Sequence, residues 1–112
     1  MNHAEQEFVV VLGEHFADLA AEIDGESIAL ECPEFSLRLS VGDDAFNIDA
    51  ITVPSARAGI GSKIMHIIKE FAAEHYLSEI IARKVVKSAI PFWEMHQFAV
   101  ADSDEDDYVY MV

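Results

Sequence analysis

Cations are scarce in this chain: seven lysines and arginines stand against 21 aspartates and glutamates, a formal net charge of −14 over 112 residues. A surface so acidic repels phosphate, which argues against general affinity for nucleic acid or for an anionic membrane. Cysteine is rarer still. Its single copy, Cys32, can close no internal disulfide and offers too few thiolates for a zinc site. Beside Pro33 it reads as a small residue at a strand end rather than a nucleophile. Long apolar runs are missing as well: Phe8 to Leu12 and Ile80 to Ala82 are typical, far short of a bilayer span. The opening Met1-Asn2-His3-Ala4-Glu5 lacks the basic and apolar stretches of a secretory signal. No repeat is visible. The expectation is one compact cytoplasmic domain over residues 1–112, with 52% hydrophobic residues to build its core. No metal is expected. The histidines (His3, His15, His66, His75, His96) form no pair four apart with a carboxylate partner, and the acidic run Asp102 to Asp107 lacks the central glycine and distal glutamate of a calcium loop. That run reads as a solvated turn.

What is present is a glycine-bearing segment, Ser55-Ala56-Arg57-Ala58-Gly59-Ile60-Gly61-Ser62-Lys63, between a strand-like run and an amphipathic helix. Two glycines spaced G-x-G let the main chain come close to a ligand, and the first turn of the next helix offers unpaired N–H groups and a positive dipole end. Phosphate suits such a cradle, although glycines there can also serve only a tight turn. The few cations gather around it. Arg57, Lys63, Lys69, Arg83, Lys84 and Lys87 face only Glu70, Glu74 and Glu79 within the same segment, so it carries +3 while the rest of the chain carries −17.

Apolar residues at Phe8, Leu12, Phe16, Leu19 and Ile23 recur at helical spacing and predict a helix from Ala4 to Ile23. The β-branched run Val9-Val10-Val11 also allows a strand from Phe8 to Leu12 with a helix beginning at Glu14. Asp24-Gly25 opens a turn, and Ser27 to Glu31 and Phe35 to Val41 read as an antiparallel hairpin. Phe46 to Val53 is a third strand, ended by Pro54. Ser62 to His75 follows as a helix with one apolar face, then a strand from Ser78 to Val86, a short helix from Ser88 to Met95, and strands at Phe98 to Ala101 and Tyr108 to Val112. Strand, crossover helix and strand imply a parallel pairing of Phe46 to Val53 with Ser78 to Val86. The expected class is α/β: a mixed sheet of about six strands with a long N-terminal helix, a central helix and a short late helix.

Three separated segments, Asp49-Ala50-Ile51-Thr52-Val53-Pro54, Gly59-Ile60-Gly61-Ser62-Lys63-Ile64-Met65 and Ala89-Ile90-Pro91-Phe92-Trp93-Glu94-Met95-His96-Gln97-Phe98, resemble the GCN5-related N-acetyltransferase (GNAT) superfamily from about Phe46 to Val112. The resemblance implies acetyl-CoA as co-substrate, held by Ile51, Thr52 and Val53 on the strand, by Arg57, Ala58, Gly59, Ile60, Gly61, Ser62 and Lys63 in the loop and helix start, and by Phe92 and Trp93. Two departures stand out. Arg57 lies one position closer to the glycines than the family's usual basic residue, and Trp93 stands where many members carry the tyrosine that protonates the leaving thiolate. The compact size, shortened loop and acidic tail are similar to those of small phage-encoded anti-CRISPR acetyltransferases. Transfer to an amine needs a base or a water path to remove a proton. Asp49 and Glu94 are the candidates, with His96 third, and Tyr108 or Tyr110 could replace the missing acid. A chain this acidic favours a basic protein or a polycationic amine as acceptor. The alternative expectation is an inactive acidic scaffold that binds and blocks a basic partner. The N-terminal helix and the final strand are candidate homodimer contacts.

Overall fold

The structure is a computed structural model and describes residues 1–54 and 59–112. Helix α1 (His3–His15) leads into strands β1 (Ala20–Asp24), β2 (Ser27–Cys32), β3 (Phe35–Val41) and β4 (Ala45–Thr52). Helix α2 (Ile60–Glu74), strand β5 (Glu79–Ala82), a 3₁₀ turn at Lys87–Ala89, helix α3 (Ile90–Met95) and strands β6 (Ala99–Val100) and β7 (Tyr108–Met111) follow. The described strands form one sheet of seven in the order β1-β2-β3-β4-β5-β7-β6, one more strand than expected. β4 and β5 pair in parallel, as the crossover reading required, and the other pairs are antiparallel.

Helix α1 is shorter than its apolar period suggested. The chain turns extended at Phe16, whose side chain packs edge-on against Phe35 with ring centroids 4.8 Å apart, and Asp18 takes a left-handed φ of 62°. Residues 20–24 then form an edge strand, where Ile23 is 59% exposed, so the last apolar residue of the helical period was never part of a buried stripe. The Val9-Val10-Val11 run is helical despite its β-branched character, because Phe8 and Leu12 are fully buried on one side and the helix start is strongly capped. Asn2 Oδ1 accepts the Glu5 N–H at 2.8 Å, and Glu5 Oε1 accepts the Asn2 N–H at 2.8 Å. The same two side chains reach β3: Asn2 Nδ2 donates to the Val41 carbonyl at 2.7 Å and the Val41 N–H donates to Glu5 Oε2 at 2.9 Å. Glu5 is buried, so Glu5→Ala leaves two backbone donors unpaired. It is expected to cost about 2 kcal/mol and lower the melting temperature by roughly 10 °C, which a thermal scan measures directly.

Both long helices lie on one face of the sheet. Phe8 of α1 sits edge-on to Phe46 of β4 and Phe71 of α2, at 4.9 and 5.2 Å. His75 extends that contact: it stacks on Phe71 at 4.0 Å, shares a hydrogen bond with the Phe71 carbonyl, and bonds Glu7 on α1 through Nε2. The Glu7 carboxylate raises the imidazole above its ordinary value, and the same bond lowers Glu7. The His75 contribution is therefore complete below the ordinary imidazole value and lost as pH rises through the raised one. The Glu7 contribution is complete above the ordinary carboxylate value and lost as pH falls through the lowered one. The tether operates between roughly pH 4.5 and 6.5. His75→Gln should lower the melting temperature more in that window than at pH values above the raised imidazole value, where only the Phe71 contacts are lost; a constant difference at all pH values would contradict it.

Strand β5 stops at Ala82, earlier than the expected Val86. Its continuation is captured by the acidic turn: the Lys84 N–H donates to Asp107 Oδ1 at 3.0 Å and the Val85 N–H to the Asp106 carbonyl at 2.7 Å, with Lys84 itself at φ 50°. Asp107 is 9% exposed, so the turn is not uniformly solvated, and one of its carboxylates is structural. The final strand β7 is also not an edge, because it lies between β5 and β6. The edges of the described sheet are β1 and β6.

Candidate functional site

The sheet opens between β4 and β5. Their pairing runs only from Ala45 with Glu79 to Ile48 with Ala82, and its last link is the Arg83 N–H donating to the Ile48 carbonyl at 2.9 Å. On the other side of β4 the register with β3 jumps, Leu39 opposing Ile48 and Arg38 opposing Ala50, so Asp49 is the extra residue of a β-bulge. The bulge turns both Asp49 and Ala50 away from the helices, and Ile51 comes back toward the core. Asp49 is held in place by the Ser27 hydroxyl, which donates to its Oδ2 at 2.7 Å. Bulge and captured β5 together make the strands diverge.

The resulting cleft has two lobes that share Ile51, Ala89 and Trp93. One lobe, about 200 Å³, is bounded by Asp49 and Ala50 on β4 and by residues 83–86 after β5. The other, about 270 Å³, is bounded by Val53, Gly59, Gly61, Ser62, Phe92 and Met95. This second lobe ends at the start of α2. Gly59 caps that helix with a left-handed φ of 68° and no side-chain bond, and no acidic residue lies in the first turn. The amides of residues 60–62 precede the first intrahelical donor, Lys63, whose N–H reaches the Gly59 carbonyl at 3.0 Å. A left-handed residue with an uncapped first turn is a cradle for an anion.

Gly61 has a packing task beside the one its spacing suggested. A Cβ there would lie 2.9 Å from Cε1 of Phe92, so its bareness brings the α2 start against α3. Below this contact, His96 Nε2 lies 3.1 Å from Ser62 Oγ, and Lys69 Nζ donates to the His96 carbonyl at 2.8 Å while sitting 4.2 Å from the Tyr110 ring centroid. Burial first, then the Lys69 ammonium and His66, hold the His96 imidazole below its ordinary value, which keeps it neutral at neutral pH. Burial likewise lowers Lys69.

Of the residues expected around a cofactor, Ile51, Val53, Gly59, Gly61, Ser62, Phe92 and Trp93 line the cleft together. Thr52 is exposed, Ile60 packs against the core, and the Lys63 ammonium sits 4.6 Å from the Phe16 ring centroid, so these three are not among its lining. Arg57 and Ala58 lie outside the described residues. Among the proton-transfer candidates, Asp49 lines the smaller lobe. Glu94 is exposed on α3, Tyr108 is buried on β7 beside Ala82, and His96 is at the Ser62 end, so the structure does not bring them to Asp49. Sequence reasoning missed Ser27, Ala89, Met95 and Asp107. Ala89 and Met95 flank Phe92 at −3 and +3, about one helical turn to either side, a spacing that could have found them; Ser27 and Asp107 act across the fold and leave no local signal.

No protein-family model and no curated protein matches the chain. Solved structures do. The chain is similar to the anti-CRISPR protein AcrVA5, with 22% identity, 75% of this chain and 97% of that one covered, and a TM-score of 0.64. It is similar to a GNAT family acetyltransferase from Elizabethkingia anophelis crystallised with acetyl-CoA bound, at 10% identity, 77% and 75% coverage and a TM-score of 0.59. It is also similar to the N-acetyltransferase PseH of Campylobacter jejuni in complex with acetyl coenzyme A, at 18% identity, 80% and 69% coverage and a TM-score of 0.55. A seven-stranded mixed sheet with a parallel β4–β5 splay and an uncapped glycine start to α2 thus gives this chain the fold of the GNAT acetyltransferases.

Proposed function

We propose that the chain transfers an acetyl group from acetyl-CoA to the amine of a lysine on a basic protein. The observation that carries this reading is the continuity of the cleft: an apolar lobe ending on helix amides that have no partner among the described residues joins, through Ile51, Ala89 and Trp93, a lobe that presents a carboxylate. A slender thioester arm suits the first lobe, with its phosphates on the amides of residues 60–62 and on Ser62. Likeness to two structures that hold acetyl-CoA supports the same assignment.

At the junction the transfer is a direct exchange of the acyl group from sulfur to nitrogen. The amine nitrogen forms a bond to the thioester carbonyl carbon, the nitrogen of the adduct releases its extra proton to water, the carbon–sulfur bond breaks, and coenzyme A leaves as the thiolate. The ammonium must first lose a proton, and Asp49, held by Ser27, receives it directly or through one water. Backbone N–H groups of β4 beyond Ile48, freed from a β5 partner, are the donors available to the carbonyl oxygen. Trp93 is a hydrogen-bond donor and no proton source, so the thiolate takes its proton from solvent. Acetylation removes a lysine charge, and on a nucleic-acid-binding target it removes a phosphate contact. The likeness to an anti-CRISPR protein, spanned almost end to end, supports that anti-defence form of the activity. Calorimetric titration with acetyl-CoA tests the reading: saturable micromolar binding is expected, and absence of both heat and thermal stabilisation would overturn it.

A further inference from the structure

The helices α1, α2 and α3 pack on one face of the sheet, and the opposite face of β1 to β4 carries a groove of about 590 Å³, larger than either lobe of the cleft. Its floor is made of small side chains, Ala20, Ala29, Ser36 and Ala50, and its outer wall of Glu22 and Glu31. Strand register explains the shape. One row across the strands reads Glu22, Ala29, Arg38, Ala50, and the next reads Ala20, Glu31, Ser36, Thr52, so small residues alternate with long ones. Arg38, the cation of this groove, is neutralised by an ion pair with Asp24. Glu22 and Glu31 are exposed carboxylates. The groove does not end blindly: Ala50 lines it and also lines the lobe that holds Asp49.

We infer that this groove docks an extended cationic segment of the acceptor and that the protein prefers a target lysine with a second positive charge three to four residues away. The inference rests on the acetyltransferase reading for the lysine end and on the groove for the charge. Neighbouring strands lie about 4.8 Å apart, so β2 and β1 are roughly 10 and 14 Å from β4, while an extended peptide advances about 3.3 Å per residue. A chain crossing the strands from the splay therefore reaches Glu31 and Glu22 with its third or fourth residue. An acidic protein as a whole attracts such a segment, and the two glutamates fix where its second charge sits. A second copy of this acidic chain is the wrong occupant on the same grounds.

The test uses two short peptides with one lysine each, carrying either arginine or glutamine at the fourth position from it. Fluorescence anisotropy of labelled peptide measures docking, and acetyl transfer measures turnover. The arginine peptide is expected to bind about tenfold more tightly at low salt, an advantage screened away near 1 M salt. A Glu22→Gln, Glu31→Gln double variant should erase that preference while leaving the glutamine peptide's turnover and the melting temperature unchanged. Equal binding of the two peptides, no binding of either, or a preference that survives in the variant would overturn the docking groove. Arginine preference without acetyl-CoA binding would support the groove and fail the enzyme reading, so the two failures are separable.

Discussion

Gly61→Trp is expected to abolish acetyl-CoA binding, weakening it by at least about a hundredfold, or roughly 2.7 kcal/mol. The position is tight, because even a methyl carbon would lie 2.9 Å from the Phe92 ring unless the ring shifts. An indole must either push Phe92 into the cleft or occupy the 270 Å³ lobe itself. In both cases the path from the helix amides to Trp93 is blocked. The fold should survive, since Gly61 is at the second position of α2, away from the fully buried residues Ile64, Met65 and Ile68. Gly61→Ala is the graded control: the ring edge can yield by a few tenths of an ångström, and a loss of about tenfold is expected. Calorimetry on the three proteins measures the series, and undiminished binding in the tryptophan variant would place the cofactor elsewhere.

Asp49→Asn is expected to lower the turnover number by about a hundredfold or more while leaving acetyl-CoA affinity within about twofold. The amide keeps the shape and can still accept the Ser27 hydroxyl, but it takes no proton from an ammonium. Ser27→Ala should fall between the two, because the carboxylate remains and loses the bond that aims it. If Asp49→Asn turned over normally, proton removal would pass through water alone and the bulge would have only a shaping role.

Much of the site was legible in the sequence because local chemistry carries it. Gly59, Gly61 and the amphipathic face from Ile64 to Ala72 announce an uncapped helix start on a sheet, and the strand before it is bounded by Pro54. What was not legible depends on long-range pairing. The helical period through Leu19 and Ile23 is broken by the left-handed Asp18 and by burial of Phe16 against Phe35, a contact between residues 19 apart in sequence. The length of β5 is set by Asp107 and Asp106, which take the N–H groups of Lys84 and Val85 from across the chain. A run of carboxylates reads as solvated turn until one of them is seen to be buried. Gly61 adds a second case: its spacing pointed to a ligand and gave no sign that Phe92 would also need its bareness.

Acetyl transfer at the β4–β5 splay, as proposed, has two products, an acetylated amine and the free coenzyme A thiol. The most direct measurement is release of the coenzyme A thiol when the protein is mixed with acetyl-CoA and poly-lysine, followed with a thiol reagent and repeated with Asp49→Asn. Thiol release is expected to depend on the acceptor, to match the acetyl groups found on lysine by mass spectrometry, and to fall at least about a hundredfold in the variant. Tight binding of poly-lysine with no thiol released would contradict it and would identify the chain as an acidic scaffold that occludes a basic partner.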